Sequence, residues 1–307
     1  MAGTVTHYYF AKDVYNNLDK KTKKNLYKYQ DTLYMFTQGP DTLLFTRLSK
    51  KISSYIHQNN TRNLFINTIN YIIDNKLQDN YEIMAFLYGF LCHYMLDTNL
   101  HPYVNFKTGT THNKHNIIEQ YIDSYYIIHN ENILSNKYKV HKYLFNNKMS
   151  NTLSSAIDDI FYKTYSIKHM SKRFKLGKRH MKILYYLMRY DPHKIKYSIY
   201  RIVDWITPKK WMKFTPVSYY CKLDNNEYYL NLNHNKWCHP LDNTITSNSS
   251  VLEIYNNALN NTIKVINEIN DIIYNKKDKN KLYNIFTNLS MSSGYDCNVT
   301  QEYKYFE

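Results

Sequence analysis

Apolar residues recur at three- and four-residue spacing along most of the chain, the mark of helices that each bury one face. This spacing predicts helices over 11–29, 44–57, 61–75, 113–128, 139–144, 152–165, 178–190, 193–206, 251–274 and 281–289. Residues 81–101 are apolar nearly all round, as expected of a central buried helix. Gly39-Pro40 interrupts the helical pattern upstream, and Pro102 is expected to end the central helix. Residues 207–249 break the pattern and read as a loop-rich, irregular insertion with one short hairpin. No fixed-period repeat and no linker appears, so the chain reads as one all-α, multi-helix domain over 1–289, followed by a loose, flexible tail over 290–307.

Composition narrows the class. Six Gly and six Pro in 307 residues are too few for collagen-like or low-complexity sequence, and 34 Tyr with 43% hydrophobic residues argue against wholesale disorder. The excess of 40 Lys and Arg over 25 Asp and Glu gives a net charge of +15. Lys, Asn, Ile and Tyr share AT-rich codons, so mutational bias explains that charge as well as an anionic partner such as membrane or nucleic acid does. The N-terminus has no basic stretch followed by an apolar run, so no secretory signal is expected. The most apolar stretch, 83–92, falls well short of the roughly 18 residues a spanning helix needs. Cys92, Cys221, Cys238 and Cys297 are scattered, which suits free thiols in a reducing compartment and a cytoplasmic location.

The chemistry concentrates near the middle of the first half. His93, Asp97 and His101 lie at i, i+4 and i+8; each step turns a helix by about 400°, so all three share one face within about 80°. His115 and Glu119 form a second i, i+4 pair on the next helix. Imidazole nitrogen and carboxylate oxygen are ordinary zinc donors, and this spacing lets two side chains converge on one ion. Burying so much polarity costs several kcal/mol unless each group is satisfied. A metal cluster does this; a buried His–Asp hydrogen-bond network beside unrelated surface residues is the alternative. Upstream, His7 follows a short N-terminal arm, Asp41 sits in the Gly-Pro-Asp loop, and His57 ends an amphipathic helix.

The order His7, Asp41, His57, His93-x-x-x-Asp97, His101, His115-x-x-x-Glu119 resembles the zinc-dependent phospholipase C family, which is related to the S1/P1-type nucleases. The resemblance spans about residues 2–125 and implies an all-α fold with up to three zinc ions in a cleft. By resemblance, one zinc takes Asp41, His57, His93 and Asp97, and a second takes His101, His115 and Glu119. The third takes His7, Asp97 as a bridging carboxylate, and the amine and carbonyl of Ala2, exposed when Met1 is removed. Mature members of the family begin with Trp, whereas this chain reads Met1-Ala2. The resemblance further implies hydrolysis of a phospholipid headgroup phosphodiester by metal-activated water, with Asp41 orienting or deprotonating that water. An S1/P1-type nuclease or nucleotidase is the alternative, because such a metal site does not choose the substrate and no motif marks substrate-binding residues. A non-catalytic helical protein with structural zinc, binding anionic surfaces, is the rival from another class.

Other residues carry weaker signals. His112 competes with His115 as a ligand, but only His115 pairs with Glu119 along a helix face. Asp123, one turn beyond Glu119, reads as a solvated acid or as a partner of His115, the former being favoured. His234, Trp237 and His239 lie in a loop that either covers the cleft or is anchored by Trp237 as plain structure. The basic stretch 163–201 suits peripheral contact with an anionic membrane or a nucleic-acid backbone, or is a solvated face.

Overall fold

The computed structural model describes residues 3–46, 48–187, 195–208, 213–215, 226–275 and 277–307, the side chains of His112 and Asn136 excepted. Helices dominate the described residues: α1 Thr4–Asn17, α2 Lys20–Leu26, α3 Gln30–Phe36, α4 Lys50–Gln58, α5 Thr61–Asp74, α6 Tyr81–Thr108 and α7 His112–Glu131 come first. After them follow α8 Asn151–Tyr165, α9 Met170–Leu187, α10 Ile195–Ile206, α11 Asn226–Tyr229, α12 Val251–Asn275 and α13 Leu282–Ile285. The one described sheet is an antiparallel pair inside the predicted irregular stretch, β1 Trp237–His239 and β2 Asp242–Ser247. The all-α expectation holds.

α6 is the axis of the molecule. It packs chiefly against α3 and α12, with α1 and α7 beside it. Its residues are buried on every side, which explains why its sequence shows no polar stripe. Asn80 caps its start by accepting a hydrogen bond from the Ile83 N–H. Close approach of α3 depends on Gly89, where a Cβ would stand 2.4 Å from the Leu33 carbonyl oxygen. Buried apolar residues from Val5 to Met291 form one cluster. Among the described residues, no helix is long and apolar enough to cross a membrane.

Four expectations are corrected. His7 lies inside α1, not after an arm. The sequence there, TVTHYYF, is rich in β-branched and aromatic residues with weak helix propensity. Its helix is started from outside by Asp123 on α7, whose carboxylate accepts from the Thr6 N–H at 2.7 Å, the Thr6 hydroxyl at 2.6 Å and the Val5 N–H at 3.3 Å. Asp123 is accordingly buried, not a solvated acid.

Pro102 does not end α6 but sits inside it, and the helix continues for another turn and a half to Thr108. The missing hydrogen bond leaves a notch at the Thr98 carbonyl. Gly294, with φ +70°, fills that notch so closely that a Cβ there would lie 2.2 Å from Thr98 O and 2.8 Å from Pro102 Cγ.

Gly294 belongs to the supposed flexible tail, which is in fact packed. Met291 is fully buried. The Asn105 side-chain amide donates to the Ser292 carbonyl at 2.7 Å, the Glu307 N–H donates to the Phe106 carbonyl at 2.8 Å, and Lys107 pairs with Glu307 at 2.8 Å. These contacts line the last two turns of α6 and hold the segment 290–307 along it.

A candidate metal centre on the central helix

Helix α6 presents His93, Asp97 and His101 on one face, and Asp97, fully buried, is the hub. Its carboxylate lies 3.2 Å from His7 Nε2 of α1, 3.2 Å from His93 Nε2, 3.7 Å from His101 Nδ1 and 3.9 Å from His57 Nε2 of α4. Asp41 comes from a 3₁₀ turn, Gly39–Phe45, and approaches His57 Nε2 at 2.9 Å. His115 and Glu119, one turn apart on α7, meet at 2.8 Å, and the His115 ring stands 5.5 Å from that of His101.

The imidazoles are oriented from behind. His57 Nδ1 faces the Ser53 carbonyl at 2.8 Å, His93 Nδ1 faces the Thr37 carbonyl at 3.2 Å, and His101 Nδ1 faces the Met291 carbonyl. Each carbonyl fixes the Nδ1–H tautomer and leaves the Nε2 lone pair for the interior. The buried Nε2 atoms of His7, His57, His93 and His101 make no hydrogen bond, and neither does Asp41 Oδ1. They crowd against carboxylate oxygens, as at His57 Nε2 and Asp41 Oδ1, 2.9 Å apart. Such orphaned polar atoms are expensive in a protein interior unless something else satisfies them.

A divalent metal fits what remains. The donor atoms of His7, Asp41, His93 and Asp97 lie within 4.8 Å of one another, as do those of His101, His115 and Glu119. Ligands of a tetrahedral zinc are about 3.3 Å apart at ordinary bond lengths, close to the 3.2 Å separations at Asp97. Nitrogen and carboxylate donors without thiolate are also zinc's usual set. Among the described residues His7 joins Asp41, His93 and Asp97, so a separate third cluster around His7 is not distinguished. Ala2 lies outside the described residues, as does the His112 side chain.

Charge and burial compete here. Burial alone would raise the Asp97 carboxyl, but the imidazoles of His101, His93 and His7 outweigh it and hold the group well below the usual carboxylate range. Asp41 is likewise lowered: His57 beside it and the charges of His93 and His57 overcome desolvation. Burial pushes His93 down to about 4 and also lowers His101, whereas His57 is raised because Asp41 and Asp97 overcome its desolvation. Burial raises the Glu119 carboxyl.

In metal-free protein His57 therefore keeps its proton to higher pH than an ordinary imidazole, whereas His93 gives its proton up well below neutral pH. Zinc added to chelator-stripped protein displaces the His57 proton. The expected result is acidification of a weakly buffered solution, with zinc affinity falling as pH drops. An affinity flat across about pH 6–8 contradicts this.

Two residues shape the site without donating to it. Gly39 has φ +48°, and a Cβ there would meet the His93 ring at 2.3 Å. Gly39→Ala therefore combines left-handed strain with displacement of His93. We expect a loss of about 2 kcal/mol or more in thermal unfolding together with reduced zinc content; unchanged values for both would show the turn to be tolerant. Asp123 fixes the first turn of α1 and hence the depth of His7. Asp123→Ala should cost about 1–3 kcal/mol, since it orphans two buried N–H groups, and a thermal midpoint equal to the parent's would exclude the capping role.

The irregular stretch takes no part in either donor set. Trp237 packs edge-on against Tyr103 at 5.5 Å and donates to the Ser249 carbonyl at 3.1 Å. His239 uses both ring nitrogens, with the Ser293 carbonyl at 2.9 Å and the Leu241 N–H at 3.1 Å. His234 sits outside beside Glu253 at 3.4 Å. The structural reading of this loop is the one the contacts favour. The sequence gives no signal for the Thr37 and Met291 carbonyls that brace His93 and His101, while the Ser53 carbonyl is the ordinary i−4 neighbour of His57.

The model of the zinc-dependent phospholipase C family matches residues 6–167, slightly more than half of the chain. Neither a curated protein nor a solved structure matches it.

Proposed function

The chain belongs to the zinc-dependent phospholipase C family, and on that premise we propose that it hydrolyses the headgroup phosphodiester of a phospholipid. The observation that carries the proposal is the set of imidazoles braced at Nδ1 by backbone carbonyls and gathered around buried Asp97, with their Nε2 atoms buried and without hydrogen bonds. We assign His7, Asp41, His57, His93 and Asp97 to one part of the zinc cluster and His101, His115 and Glu119 to the other. Zinc bound there supplies Lewis-acid chemistry, making water acidic enough to attack near neutral pH and offsetting charge on the phosphodiester.

The remaining work falls to the chain. Asp41, held ionised beside His57, orients the attacking water and accepts its proton. Asp97 sets the spacing of four imidazoles, so their positions are fixed before substrate arrives. Free thiols at Cys92, Cys238 and Cys297 support a reducing, cytoplasmic setting.

The test is release of phosphorylated headgroup from phosphatidylcholine–detergent micelles by the purified chain. Turnover that stops on chelation and returns with zinc is expected. Zinc-dependent cleavage of single-stranded nucleic acid with no lipid turnover would place the activity with the S1/P1-type nucleases instead. Zinc without turnover on either substrate would leave a structural cluster.

A further inference from the structure

Helix α10 leaves its apolar face uncovered. Ile195, Ile199, Ile202 and Ile206 recur at i, i+4, i+7 and i+11, so they form one stripe within about 60° around the helix. On a helix that serves the core this stripe would be buried, yet these four residues are between 51% and 66% exposed, and Trp205 beside them is 84% exposed. Polar side chains of the helix bond instead to neighbouring stretches of backbone. Tyr200 donates to the Leu187 carbonyl at 3.4 Å, Lys196 to the same carbonyl at 3.2 Å, and Asp204 accepts from the Phe214 and Thr215 N–H groups at 2.7 Å each. Ile183 and Leu187, near the end of α9, are exposed as well.

The surroundings identify what this surface meets. α9 carries Lys172, Arg173, Lys175, Lys178, Arg179 and Lys182 and no acidic residue. Lys196 and Arg201 flank the stripe on α10 itself. Apolar residues with Trp on one side and cations around them suit the boundary of an anionic bilayer, where the ring and the isoleucines enter and the cations meet phosphate. A second protein copy would bring the same +15 charge against itself. The place is also right. α9 lies across the Asp41 turn, with Gly177 against the Thr42 carbonyl, His180 facing the Phe45 carbonyl at 3.0 Å, and Tyr185 donating to the Thr4 hydroxyl at 2.6 Å.

We propose that α10 is a docking helix whose Ile195–Ile199–Ile202–Ile206 stripe and Trp205 enter the interfacial layer of an anionic membrane, with α9 supplying headgroup contacts. This refines the expectation of a basic patch over 163–201: the apolar face lies mainly on α10, and the basic helix is its flank. The choice of lipid as occupant rests on the phospholipase reading.

The test uses the full chain and vesicles of phosphatidylcholine with and without phosphatidylglycerol, read by co-sedimentation and so without any need for turnover. Wild type should bind the anionic vesicles, less so in high salt. Its tryptophan emission should shift to the blue on binding, and the Trp205→Phe variant should lose most of that shift. The double variant Ile199→Glu/Ile202→Glu should keep its thermal midpoint, because both sites are exposed, and should bind at least about tenfold more weakly. No vesicle binding by wild type, equal binding by the double variant, or a wild-type dimer that the double variant dissolves would each overturn the proposal. Vesicle binding without lipid turnover would sustain docking while refuting the phospholipase reading.

Discussion

Replacement of Asp97 by alanine should remove both zinc and activity while leaving a folded chain. One buried carboxylate faces four imidazoles drawn from α1, α4 and α6, at 3.2 to 3.9 Å. Without it the imidazoles lose the negative charge that makes a cluster of cations tolerable, and the set with His7, Asp41 and His93 loses a donor. Turnover should fall on the order of 10³-fold or more, the scale of several kcal/mol of metal-based stabilisation. The metal-free fold should suffer less, since the substitution also removes a buried charge. Asp97→Asn separates the contributions: it keeps the shape and one acceptor oxygen but not the charge, so zinc should bind weakly rather than not at all. Full zinc occupancy in Asp97→Ala would remove Asp97 from the centre of the account.

Truncation after Leu289 should have the next largest effect. The last eighteen residues are packed against α6, and they brace the metal centre from outside. Met291 is fully buried, its N–H donates to the His57 carbonyl at 2.8 Å, and its own carbonyl faces His101 Nδ1. Deleting the segment exposes the Pro102 notch and leaves His101 with no carbonyl to set its tautomer. The expected result is a fall in thermal midpoint on the order of 10 °C, from several kcal/mol of lost burial and hydrogen bonding, together with loss of zinc from the His101–His115–Glu119 set. Gly294→Ala offers the same test with the chain intact, because its Cβ has no room against Thr98. A truncated protein that melts and binds zinc like the parent would return residues 290–307 to the status of a loose tail.

What the sequence shows and hides follows from how local each cause is. Helices α5, α8 and α12 are legible nearly to their ends because their burial follows the helical period. The candidate donors on α6 and α7 are legible because i, i+4 spacing is itself the local geometry of a helix face. The start of α1 is hidden because its cap is Asp123, over a hundred residues away in sequence. The passage of α6 through Pro102 is hidden for the same reason, since the piece that fills the notch is Gly294. A polar, small-residue C-terminus resembles a disordered one when its partners are invisible; here those partners are the exposed backbone and side-chain amides of the last turns of α6. His57 and Asp41 are visible as residue types and order, but their meeting depends on the Gly39 turn and on the Ser53 hydroxyl that ties α4 to the Pro40 carbonyl at 2.8 Å.

The most direct test of the central claim is the zinc content of the purified chain, measured by mass spectrometry of the metal on wild type and Asp97→Ala side by side. At least two zinc ions per wild-type chain are expected, one for each donor set, with a marked loss in the variant. A wild-type chain that purifies without zinc and fails to take it up after dialysis against the metal would contradict that claim.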